Sequence, residues 1–62
     1  LGKAFIWLER SAKLGMPEAQ IAVGDALRSG EGVTADLDAA RHWYQQAASQ
    51  NNPTAIKRLE SL

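Results

Sequence analysis

Sixty-two residues make one small folding unit or a piece of a larger one, well short of the roughly 100 to 150 residues of an ordinary domain. Lys plus Arg number 7 and Asp plus Glu number 7, a balance that argues against nucleic acid or an anionic membrane surface as main partner. The lack of cysteine excludes disulfide scaffolds, thiolate zinc sites and thiol nucleophiles, and no apolar run approaches the roughly 20 residues of a membrane-spanning helix. The start, Leu1-Gly2-Lys3, has neither an initiator Met nor a signal-peptide pattern, as expected of a stretch excised from a longer protein. Leu, Ile, Val and Phe together are only 13 residues while Ala alone is 11, so an all-helical chain is expected, with helix backbones in close approach and an apolar surface that needs neighbours.

The first predicted helix runs over 3–14, where Ala4, Trp7, Leu8, Ser11 and Ala12 share one face at i, i+3, i+4, i+7 and i+8. Phe5 and Ile6 make it apolar nearly all round, which predicts burial on both sides. Gly15 suits the left-handed end of that helix, and Pro17 opens the second at the one position where a missing N–H costs nothing. Met16, just before it, has no side-chain oxygen to cap with. The second helix, 17–29, stops at Gly30. A connection over 30–35 leads to Asp36, a good N-cap for a third helix whose face is Ala40, Trp43, Tyr44, Ala47 and Ala48. Asn51 ends that helix, and Asn52-Pro53 opens a fourth with a side-chain cap. Connections this short predict antiparallel neighbours.

The chain matches itself at a shift of 36 residues, the distance from Trp7 to Trp43. Leu1, Ala4, Trp7, Ala12, Pro17 and Ala19 meet Leu37, Ala40, Trp43, Ala48, Pro53 and Ala55, against about two identities expected by chance for such a composition. The segment Ala19-Gln20-Ile21-Ala22-Val23-Gly24, then Gly30-Glu31-Gly32-Val33, Asp36, and Ala40 with Trp43-Tyr44 and Ala47-Ala48, resembles the Sel-one-like repeat family, relatives of tetratricopeptide repeats. The resemblance covers essentially the whole chain and implies an alpha-solenoid built of antiparallel helix pairs. It implies one full repeat at about 17–52, a preceding helix at 1–14 and a C-terminal capping helix at 53–62. It also implies non-catalytic scaffold or adaptor work with a protein or peptide partner, in bacterial signalling or envelope scaffolds or in eukaryotic quality control. Leu8 departs from the family pattern, which has Tyr there, and Met16 departs from its usual polar cap. In the fourth helix Lys57, Arg58 and Glu60 stand in the places of Ile21, Ala22 and Gly24, as in a terminal cap whose outer face must stay soluble, while Leu59 remains an inward anchor. The alternative function follows: a structural cap for an array whose binding surface lies upstream.

No constellation for chemistry emerges, so no catalytic, cofactor-binding or metal residues are assigned. Gly30-x-Gly32 lacks the third glycine, the preceding strand and the Lys of a phosphate loop. His42 has no second His and no carboxylate at i+4, and Asp36-x-Asp38 sits where carboxylates cap a helix and offset its dipole. A helix-turn-helix reader of DNA is disfavoured because the second helix carries only Arg28 against Glu18 and Asp25. Trp7, Trp43 and Tyr44 are expected in the inter-helix core. The candidate partner-binding groove is the stripe Glu18, Ile21, Asp25, Arg28 and Ser29 on the second helix, opposite Ala19, Val23, Ala26 and Leu27, and Ile21 is its expected exposed aliphatic. Phe5 and Ile6 are the candidate stacking face, through which the isolated chain is expected to form a homodimer.

Overall fold

A computed structural model describes residues 2–62, with side chains from Phe5 onward. The structure has four α-helices and, among the described residues, no strand: α1 (Gly2–Lys13), α2 (Pro17–Ser29), α3 (Leu37–Ala48) and α4 (Pro53–Glu60). Leu1 and the side chain of Ala4, both used in the repeat match, lie outside the described residues.

Local chemistry ends and starts these helices. Gly15 (φ 94°) and Asn51 (φ 64°) take the left-handed conformation in the two tight turns. The Asn52 carboxamide oxygen accepts from the N–H groups of Thr54 and Ala55 at 3.0 and 3.3 Å, whereas Met16 makes no side-chain cap. Asp36 accepts from the Ala39 N–H at 3.1 Å. Between α2 and α3, Gly30 (φ 80°) donates to the Ala26 carbonyl at 2.7 Å, and the Asp36 N–H returns to the Leu27 carbonyl at 2.8 Å. The longer connection is thereby folded back on the last turn of α2.

The Cα extents of 29 × 23 × 14 Å describe a slab in which helices lie side by side. Among the described residues α1 touches α2 alone, α2 packs on α1 and α3, and α4 packs on α3 with a lighter contact to α2. Val23, Ala40, Tyr44, Ala47 and Ala55 are fully buried along these seams, with Ala12, Ala19, Ile21 and Leu27 beside them. Small residues predominate, so the backbones come close. A Cβ on Gly24 would stand 2.5 to 3.0 Å from three atoms of the Tyr44 ring, and Gly24 is what lets α2 lie against that ring.

One buried polar side chain ties three segments together. Gln20, 3% exposed, donates through Nε2 to the Ala12 carbonyl at 3.1 Å and accepts through Oε1 from Gln50 Nε2 at 3.1 Å. Both halves of its amide are satisfied, so its burial carries no unpaired group.

The expectation for the aromatics holds for Tyr44, fully buried, and in part for Trp43, half-buried against the core. It fails for Trp7, which is 67% exposed with the Arg10 guanidinium 5.5 Å from its ring centroid. The reason is positional: α3 lies between two helices, whereas α1 has α2 on one side only. Burial of α1 on both sides fails with it, since Phe5 is half-buried and Ile6 is 51% exposed.

Candidate functional site

An open groove of about 500 Å³ runs between α1 and α2. Phe5 and Leu8 form its wall on α1, Ala22, Ala26 and Ser29 its wall on α2, and Gly32 closes one end. On α2 the outward stripe is Glu18, Ala22, Asp25, Ala26 and Ser29, at i, i+4, i+7, i+8 and i+11. Of the predicted stripe, Glu18, Arg28 and Ser29 are exposed and Asp25 is half-buried.

Ile21 is the correction. It is 8% exposed and belongs to the core, because α2 has neighbours on three sides and little of its circumference stays open. Ala26, assigned to the inward side, instead lines the groove with Ala22. The aliphatic surface offered to a ligand therefore comes from two alanines on α2 and from Phe5 and Leu8 on α1. A signal for Ala22 was present in the repeat, since its mate 36 residues on is Arg58, a residue that must reach solvent.

Asp25 is bound on the far side of α2. Its Oδ1 accepts from the Tyr44 hydroxyl and from Arg58 Nε at 2.9 Å, and its Oδ2 lies 3.4 Å from Arg58 Nη2. This clasp joins α2, α3 and α4, and it is what links α2 with α4. Burial opposes the charge on Asp25, but hydrogen bonds from Arg58 and Tyr44 and the nearby Arg28 outweigh it and hold the carboxyl below its ordinary 3.8. Burial and the same carboxylate push the Tyr44 phenol up to about 12. Ser29 Oγ donates to the Asp25 carbonyl at 3.0 Å. The groove's polar side chains thus have partners within the fold, and the open wall is chiefly apolar.

The other candidates stay apart from the groove. His42 is exposed, its ring edge-on to Trp43 at 6.4 Å between centroids. Asp36 caps α3, and Asp38 lies 3.7 Å from Arg41 on the surface. Among the described residues no group of three His, Cys, Asp or Glu is placed to hold a metal ion, and no helix is long and apolar enough to cross a membrane.

A family model described as Sel1 repeat matches residues 1–16 and 17–52. The chain is similar to chitin synthase regulatory factor 3 of Schizosaccharomyces pombe, 45% identical over 58 residues that cover 94% of this chain and 6% of that protein. It is 36% identical over 59 residues to the chitin synthase regulator SKT5 of Saccharomyces cerevisiae, covering 95% and 8%. An uncharacterized protein of Neisseria meningitidis is 38% identical over 53 residues, covering 86% and 11%. The chain thus spans about a tenth or less of the curated relatives it matches. With fungal regulators among them, a bacterial origin is not supported. No solved structure matches the chain.

Proposed function

Because the chain belongs to the Sel1 repeat family, we propose that it serves as a non-catalytic protein-protein interaction module of a scaffold or adaptor. One observation carries the reading: a groove of about 500 Å³ between α1 and α2 with a mainly apolar wall, beside the exposed Glu18, Arg28 and Ser29. Apolar contact from Phe5, Leu8, Ala22 and Ala26 supplies affinity, and the exposed polar residues supply register. Residues 17–52 form one repeat unit in this reading, with α1 from the unit before it and α4 opening the next. The similarity to fungal chitin synthase regulators makes an adaptor that controls an enzyme the most specific form of the proposal.

The test is a binding comparison in the intact parent protein. Ala22→Glu/Ala26→Glu places two carboxylates on the apolar wall while the buried side of α2 stays unchanged. Loss of the parent's protein partners, with folding retained by circular dichroism, supports the module. An unchanged partner set would favour a structural role in which these helices only support an array that binds elsewhere.

A further inference from the structure

The groove and the clasp are the same place in two successive repeats. Tyr44 and Arg58 follow Leu8 and Ala22 by 36 residues, the internal period. Around Tyr44 and Arg58 the place is filled by α2, with Gly24 flat on the Tyr44 ring and Asp25 taking hydrogen bonds from both side chains. Around Leu8 and Ala22 the place is open, and both residues line the groove.

The filled copy shows what shape suits the open one: a helix laid as α2 lies against α3 and α4. The substitutions between the copies show what that helix must present. Leu8 has no hydroxyl to donate, Ala22 has no guanidinium, and Phe5 stands where the later copy has Arg41. A carboxylate entering there would give up water for apolar walls and gain no partner. Asp25, at the rim, has both carboxylate oxygens engaged by Tyr44 and Arg58. An aliphatic side chain, in contrast, would bury its surface against Leu8, Ala22 and Phe5.

We propose that the groove receives an amphipathic helix of the α2 kind that carries an aliphatic side chain where α2 carries Asp25, and that Leu8 and Ala22 select it. The proposal rests on reading this face as an interaction surface and specifies the partner. It holds whether the helix comes from the same polypeptide or from another.

The repeat supplies its own probe. A copy of residues 17–36 placed directly before Leu1 restores the period of 36, and the extended chain is made in two forms, with the copied segment unaltered or carrying Asp25→Leu. The form with Asp25→Leu in the copy is expected to melt higher than the unaltered copy by about 4–8 °C. Leu8→Tyr/Ala22→Arg in the body rebuilds the polar partners and is expected to reverse the order. Equal melting of the two extensions, or an order that does not reverse, overturns the proposal. If an extended chain does not fold, peptides of residues 17–29 with and without Asp25→Leu are added to the 62-residue chain, with the methyl resonances of Leu8 and Ala22 followed by NMR. Stronger shifts with the altered peptide support the proposal, and equal or absent shifts overturn it. A dimer of the unextended chain that disappears on Leu8→Tyr/Ala22→Arg would show a second copy in the groove and also overturn it. These readouts need no external partner. Loss of partner binding on Ala22→Glu/Ala26→Glu, together with equal melting of the extensions, would keep the interaction reading and sink the aliphatic-helix one.

Discussion

Leu8 on α1 and Tyr44 on α3 occupy equivalent places, yet Leu8 lines an open groove while Tyr44 is buried with its hydroxyl bonded to Asp25. The same contrast separates Trp7, mostly exposed, from Trp43, half-buried in the core. A second pair runs against residue type: Gln20 is 3% exposed, while Ile56, its mate on α4, is 43% exposed. Hydrophobicity alone would order both pairs differently. In a stack of helices, burial depends on how many neighbours a helix has, and α2 and α3 have two or three where α1 has one.

The largest effect expected from this comparison lies at the filled place. Tyr44→Ala removes a fully buried ring and should cost roughly 3–5 kcal/mol, enough to unfold a chain this small, whereas Leu8→Ala should cost about 1 kcal/mol. Denaturant midpoints of the two variants decide it, and equal losses would mean that α1 is as covered as α3. Ala40→Leu comes next. Ala40 is fully buried on α3, and extra methylenes there should overpack the seam by roughly 1–3 kcal/mol. Gln20→Ala leaves the Ala12 carbonyl without its partner and should lose roughly 1–3 kcal/mol, while Ile56→Ala should lose less than about 1 kcal/mol. A polar residue that outweighs an isoleucine in stability would be the clearest sign that position rules over type.

The smallest effect concerns the clasp, whose Asp25 and Arg58 side chains are both partly solvent-exposed, so screening keeps its contribution modest. Its pH dependence is distinctive. With the Asp25 pKa lowered, the contribution is present above the ordinary 3.8 and is lost as pH falls through the folded value. With the Tyr44 pKa raised to about 12, the contribution is complete below 10 and is lost as pH rises through about 12. Tyr44 is the sole tyrosine, so absorbance titration reads it without ambiguity. Its ionisation is expected near 12 in the native chain and closer to 10 in Asp25→Asn. A midpoint near 10 in both would mean that the clasp does not form.

What the sequence disclosed, and what it hid, divides along the same line. Pro17, Pro53, Asp36, Asn52 and Gly15 act on the backbone beside them, so the helix boundaries and turns were legible from local chemistry. The open face of α2 depends on helices remote in sequence, and there the reading misplaced Ile21 and Ala26. The Asp25–Arg58 pair spans 33 residues and joins helices that are not sequence neighbours, so no helical period could reveal it. Gln20 was legible only as a member of the repeat pattern, because its burial is made tolerable by a carbonyl on α1 and an amide beyond α3.

The central claim is that α1 presents an open face where its repeat mate α3 is covered. Acrylamide quenching of two single-tryptophan chains, Trp43→Phe to isolate Trp7 and Trp7→Phe to isolate Trp43, tests it most directly. Trp7 should be quenched severalfold more strongly than Trp43 and should emit at longer wavelength. Equal quenching of the two, or a Trp7 more protected than Trp43, would contradict the open face and with it the groove between α1 and α2.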